Sequence, residues 1–212
     1  MSLLWIIRTT LIIILFAYIF IYAYFLKNRK KYKKLIENTK FNIFLVIISN
    51  LICYISVGIP PDTNLISSPL ILKHSLVISW YSYLGIILFI IGSSFAIITF
   101  ANRKVIGAQD TKCKLLTNGV YSFCRHPIYL GIIFISLSIP LKFINFDGIL
   151  VFPFIFIANF IVSKLEENFD LKVRFKEEYS FYKKRTKIFG PVWFWIILLI
   201  FLILPLILSS MI

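Results

Sequence analysis

The chain reads as an all-α protein, a polytopic membrane helical bundle of about six transmembrane segments that include a short helical hairpin and a cytoplasmic helical extension. Three observations predict this class. Hydrophobic residues make up 59% of the 212 and the mean hydropathy is +0.89, far too apolar for a soluble domain of this length. Six apolar segments recur, Leu3–Leu26, Phe41–Ile59, Ser75–Ala101, Ile128–Phe143, Ile149–Ser163 and Val192–Ile212. The basic residues alternate between their connections. Lys27–Lys40, Asn102–His126 and Lys164–Gly190 hold seven, five and eight Lys/Arg, together 20 of the 23.

The first, second, third and sixth segments approach or exceed the roughly 20 residues needed to span a bilayer core. The fourth and fifth are shorter and are joined only by Ile144–Gly148, so they are expected to form a hairpin that leans on bundle partners more than on lipid. The basic alternation is a positive-inside pattern, which places both termini outside and the three basic connections in the cytoplasm. The net charge of +14 would suit nucleic acid, but its distribution over loops points to membrane lipid headgroups and to no nucleic-acid partner. Arg8 interrupts the first apolar run, which is too long for a signal peptide; it is expected to snorkel to the outer headgroups. Two His and three scattered Cys (Cys53, Cys113, Cys124) give no metal-site spacing, so no metal is expected.

Residues Leu115 to Gly131, LLTNGVYSFCRHPIYLG, concentrate the polar chemistry at the mouth of the fourth segment. Proline suits the first turn of a helix, so a helix is predicted to start at Pro127, its free N–H groups directed towards Arg125 and His126. Such an end accepts a carboxylate or phosphate. Tyr129, three residues past His126, shares its face. A plainer reading is a basic membrane-edge anchor with an interfacial tyrosine. Beyond the fifth segment no Gly or Pro interrupts Lys164–Arg185, so that helix should continue into the cytoplasm as an amphipathic extension, its stripe formed by Leu165, Phe169, Leu171, Phe175, Tyr179 and Tyr182. Glu166 and Glu167 fall where it leaves the membrane, where a carboxylate needs a cationic partner such as Arg125 or a bound cation.

These residues together resemble the isoprenylcysteine carboxyl methyltransferase family and related membrane phospholipid methyltransferases. The resemblance rests on Leu116-Thr117-x-Gly119-x-Tyr121, then Arg125-His126-Pro127-x-Tyr129-x-Gly131, Glu166-Glu167, and Phe175-x-x-x-Tyr179-x-x-Tyr182, with Leu84-Gly85 and Gly92 upstream. It covers about residues 80–191, which would make 1–79 an N-terminal transmembrane part, 80–191 the methyltransferase-like core and 192–212 a final span. It implies S-adenosyl-L-methionine as cofactor and a lipophilic or lipidated acceptor, either a prenylcysteine-type carboxylate or a lipid amine. Carried over by position, Leu115, Leu116, Thr117, Tyr121, His126, Pro127, Tyr129 and Glu167 would bind the cofactor at a cytoplasmic-facing site, with Arg125 and Glu166 as catalytic residues.

The chain departs from the family pattern in two places. Three residues, Asn168–Asp170, separate the Glu pair from Leu171 where the family has two, and Lys176 stands where a Gly commonly follows the Phe. The slip leaves it open which Glu faces the pocket, with Glu167 slightly favoured. A family Gln upstream aligns loosely with Gln109. Two further readings are a nicotinamide-dependent membrane sterol-type reductase, which usually has Asn after the His, and a non-enzymatic lipid-binding membrane protein.

Overall fold

The structure, a computed structural model, describes residues 3–28, 30–32, 39–60, 75–103 and 114–210; Asn38, Lys73, Gln109 and Cys113 lie outside them. Among the described residues every regular element is helical. They are α1 (Leu3–Lys27), α2 (Thr39–Gly58), α3 (Ser75–Arg103), the single turn α4 (Val120–Phe123), α5 (Pro127–Lys142), α6 (Phe146–Glu166), α7 (Lys172–Arg185) and α8 (Val192–Ser210). A π-helical turn, Glu167–Leu171, joins α6 to α7.

All six apolar segments form helices over their described residues. Leu3–Lys27, Val77–Asn102 and the first, apolar half of the continuous run Phe146–Arg185 are long and apolar enough to cross a membrane. Phe44–Gly58, Pro127–Lys142 and Val192–Ile207 are shorter apolar helices. The surface supports the membrane reading, because large apolar side chains point away from the protein along most helices, among them Phe20 at 75% and Ile97 at 67% exposure. This is an integral membrane bundle.

The core has two halves. Leu88, Leu130, Ile133, Phe134 and Leu137 pack with Ile188, Phe189 and Leu198, joining α3, α5 and α8. Leu15, Ile19, Cys53, Val57, Val151, Ile155 and Ala158 join α1, α2 and α6. Tyr129 packs against both. The α3–α5 contact is close because two glycines face each other: a methyl group built on Gly92 would stand 2.8 Å from the Gly131 carbonyl oxygen, and one on Gly131 would stand 2.7 Å from that of Gly92. Small residues let helix backbones approach and gain packing that lipid cannot match.

At one end of the bundle the structure corrects the expectation for Arg8. Its side chain is wholly buried. Arg8 Nη1 donates to Asp147 Oδ2 at 2.7 Å, and Nη2 donates to the carbonyls of Ile59 and Pro60 at 2.6 and 3.0 Å. A carboxylate and two carbonyls inside the protein replace the lipid headgroups a snorkelling arginine would need. Asn145 completes this knot: its amide donates to Val57 and Ile59 carbonyls and its oxygen accepts from Gly148 N–H, capping α6. The hairpin turn is therefore shorter than expected and is tied to the ends of α1 and α2. Arg125, His126, Glu166 and Glu167 gather elsewhere, where α5 begins and α6 ends.

Candidate functional site

Gly119 enters α4 at φ +63°, a backbone conformation that suits glycine. After this one turn the chain extends through Cys124, which is fully buried. The backbone N–H groups of Arg125 and His126 then donate to the carbonyls of Lys187 and Ile188, at 3.0 and 3.2 Å. The segment after α7 thus fixes both residues before α5 begins, as the sequence predicts, with Pro127 in its first position.

Arg125 does not project into open space. Its Nε and Nη2 sit 2.8 and 2.7 Å from Glu167 Oε1. Its Nη1 donates to the Lys183 carbonyl at 3.1 Å and also to the Thr186 carbonyl, at the C-terminal end of α7 where a cation is favoured. Glu167 is wholly buried, with Lys164 Nζ and Lys183 Nζ each 3.7 Å from Oε2. Burial would raise its pKa, but the neighbouring His126 and the Arg125 guanidinium outweigh burial and lower it to about 2. Glu167 lies beyond the apolar stretch that ends at Ser163, and this fixed charge clamps the elements together.

Glu166 has different partners. Tyr129 and Tyr22 hydroxyls donate to its Oε1 at 2.6 and 3.0 Å. Its Oε2 lies 3.8 Å from His126 Nδ1, while His126 Nε2 lies 3.5 Å from Glu167 Oε1. The buried imidazole therefore stands between the two carboxylates, its Nε2 without a hydrogen-bond partner in good geometry. The His126 and Tyr129 rings are 5.7 Å apart, the shared face read from their spacing.

Glu166, Tyr129, His126, Pro127, Arg125 and Tyr121 line one end of a cleft that runs between α1, α2, α5 and α6 and leaves about 1100 Å³ of unfilled space, part of it continuous with solvent. Glu167 is not in its wall. The sequence leaned to Glu167 for the cleft; the structure places Glu166 in its wall and Glu167 against Arg125, because neighbouring residues on a helix point about 100° apart. Leu115, Leu116 and Thr117 do not line the cleft either. Leu115 is buried with Tyr121, Leu171, Tyr179 and Tyr182, and Leu116 packs on that cluster.

The π turn accounts for the first departure in the sequence pattern, and a bend in α7 for the second. The turn takes up the extra residue before Leu171 without breaking the helical run. Asp170, Leu171 and Arg174 are thereby brought to the cleft wall, and Arg174 pairs with Asp170. Further along α7, Lys176 has φ +42°, so the family's glycine position is one where the backbone turns into a conformation that L side chains adopt at a cost. Tyr179 and Tyr182 then face α4, and the Tyr182 hydroxyl donates to the Tyr121 carbonyl at 2.7 Å.

Sequence reasoning missed the wall contributed by α1 and α2. Tyr18 and Tyr22 lie at i, i+4 in an apolar helix, and Ser49 and Asn50 interrupt another; that polar punctuation was the available signal. Among the described residues no group of three or more His, Cys, Asp or Glu is gathered to hold a metal ion.

The chain is 31% identical over 115 residues to a protein-S-isoprenylcysteine O-methyltransferase of Rattus norvegicus, covering 51% of this chain and 40% of the relative. It is 30% identical over 115 residues to the enzyme of the same name from Mus musculus, covering 51% and 41%. The chain thus spans about two-fifths of the length of the curated relatives it matches. No solved structure matches it. A family model described as "Protein of unknown function (DUF1295)" matches residues 2–186. With its helical membrane fold and its likeness to methyltransferases, the chain belongs to the DUF1295 family.

Proposed function

We propose that this protein is an S-adenosyl-L-methionine-dependent methyltransferase that works on a lipophilic acceptor from a cleft facing the cytoplasm. The observation that supports it most is Glu166, a carboxylate held by two tyrosine hydroxyls at the wall of a cleft between the helices of a membrane bundle. Two hydrogen bonds orient the carboxylate while leaving Oε2 for a cation, and the rings of Tyr22 and Tyr129 favour positive charge beside it.

The residues present fit this cofactor. Its amino and sulfonium groups are cationic and suit Glu166 and the tyrosines. Its carboxylate suits the first turn of α5, where no side chain caps the helix and the backbone N–H groups are free to donate. When bound, the cofactor supplies an electrophilic methyl group. The chain's own work is to position and to exclude water: Glu166 and His126 hold orientation, the apolar walls of α1, α2 and α6 receive the acceptor, and burial of the site keeps water from competing. The clamp of Arg125 on Glu167 positions His126 and belongs to the support of the site. The acceptor's reacting group is a carboxylate or an amine, as in the two enzyme classes that the sequence resembles.

Thermal unfolding of the purified protein tests the reading. S-adenosylhomocysteine at a hundredfold excess over its Kd should add about 2.7 kcal/mol of stability and raise Tm, since it binds the native state. NADPH should leave Tm unchanged. Stabilisation by NADPH alone would favour the reductase, and a response to neither would favour a lipid-binding scaffold. Methyl transfer to N-acetyl-S-farnesylcysteine or to a lipid amine would then identify the acceptor's reacting group.

A further inference from the structure

The cleft does not end at the carboxylate. Its wall continues down α6 to Asn159 and Ala158, and across to Tyr18 on α1 and to Ser49, Asn50 and Cys53 on α2. Asn159 lies seven residues before Glu166, roughly 10 Å deeper along the helix axis. Two asparagines, a tyrosine and a serine therefore line the cleft in a bundle where neighbouring wall positions are Leu15, Ile19 and Val162.

Amides at this depth are costly unless they are hydrogen-bonded. Asn159 satisfies one N–H with the Ile155 carbonyl at 2.8 Å, but among the described residues no protein donor reaches its amide oxygen. Ser49 hydroxyl is turned back onto its own helix, donating to the Val46 carbonyl at 3.0 Å. Among the described residues the Asn50 side chain makes no hydrogen bond to the protein. A long hydrocarbon tail in this cleft would press methylene groups against Asn50 and Asn159 and leave their polar atoms without partners. A ligand with its own oxygen at that depth satisfies them.

We infer that the inner cleft binds a lipophile carrying a second oxygen function, a hydroxyl or carbonyl held by Asn159 and Asn50 about two helical turns from the group at Glu166. This rests on the methyltransferase reading for what happens at the Glu166 end, and it narrows the acceptor class: an oxygenated lipophile is preferred to a plain hydrocarbon chain of the same length.

Decanoic acid and 10-hydroxydecanoic acid differ only in that oxygen and serve as probes. Their binding to the full chain in lipid nanodiscs, corrected for partition into empty discs, gives the test. One additional hydrogen bond corresponds to about three- to tenfold in Kd, so the hydroxy acid should bind the wild type more tightly by that factor. Asn159→Leu should abolish or invert the preference, and Asn50→Leu, on a different helix, should reduce it; circular dichroism and gel filtration identify any variant that fails to fold. Equal affinity for the two acids, no binding of either, or a preference that survives both substitutions overturns the inference. S-adenosylhomocysteine binding to the wild-type protein is read separately. Its absence sinks the methyltransferase reading while the acid preference still reports on the cleft.

Discussion

Glu166 and Glu167 differ by one position, about 100° around a helix, and that rotation gives them different partners. Glu166 meets two tyrosine hydroxyls at the cleft; Glu167 meets a buried guanidinium. Replacing each by Gln should separate the two roles. Glu166→Gln should leave Tm near the wild-type value and weaken S-adenosylhomocysteine about ten- to a hundredfold, as measured by calorimetric titration, because a charge-assisted contact of about 1.5–3 kcal/mol is lost. Glu167→Gln should cost about 3–5 kcal/mol of stability by leaving Arg125 buried without its counter-charge. Equal effects on binding from both substitutions would refute the division. The Glu167 pKa also sets a pH signature. It is about 2 in the folded protein, below the ordinary carboxylate value of about 4.3 in the unfolded chain. Its contribution is therefore complete above pH ~4.3 and is lost as pH falls towards about 2. A plot of Tm against pH should be steeper over that acid range for the wild type than for Glu167→Gln. The Arg-His-Pro-x-Tyr cluster was legible at this scale because each residue type has a local reason to stand where it does. The Arg8–Asp147 pair was not, since its partners are 139 residues apart and only the fold brings them together.

At the level of elements, the helices were legible wherever an apolar run was long, and the start of α5 followed from Pro127. The π turn and the bend in α7 were visible only as anomalies, an extra residue and a missing glycine. Hydrogen-bond register and backbone sign are what give those anomalies meaning. Lys176 gives the sharper test. Its positive φ costs a side-chain-bearing residue roughly 1–2 kcal/mol relative to glycine, and its side chain is exposed. Lys176→Gly should therefore stabilise the protein by about 1 kcal/mol, in spite of glycine's greater freedom in the unfolded chain. A Tm below the wild-type value would show that the bend is regular helix in solution.

For the whole molecule, orientation follows from charge and the site from which helices meet at one end. The basic connections predict that the end bearing Arg125, Glu166 and α7 faces the cytoplasm. Thr186, in the third basic connection, is unsuited to labelling, since it is buried and its carbonyl is taken by Arg125. Lys184 is exposed. In a cysteine-free background, Lys184→Cys should resist an impermeant maleimide in intact cells and react after permeabilisation; prompt labelling of intact cells would invert the topology. What the sequence could not convey at this scale is the wall from α1 and α2. Their apolar runs identify them as membrane helices, but Tyr22 and Asn50 acquire a role only through assembly against α6.

The two backbone bonds from Arg125 and His126 to Lys187 and Ile188 also impose an order on biosynthesis. The donors leave the ribosome about 60 residues before their acceptors, which at about 5–20 residues per second is roughly 3–12 s. At the start of that interval α1 to α4 are already made, yet Arg125 has neither Glu167 nor the carbonyls at the end of α7. The nascent half-bundle thus carries a cation at its rim without its protein partners until the last connection arrives. A chain truncated after Tyr182 should insert all the helices that surround the cleft and still fail to retain S-adenosylhomocysteine. Co-expression of the missing piece, residues 183–212, should restore retention if closing the seam is the final step of maturation. Retention by the truncated chain alone would show that the seam is dispensable.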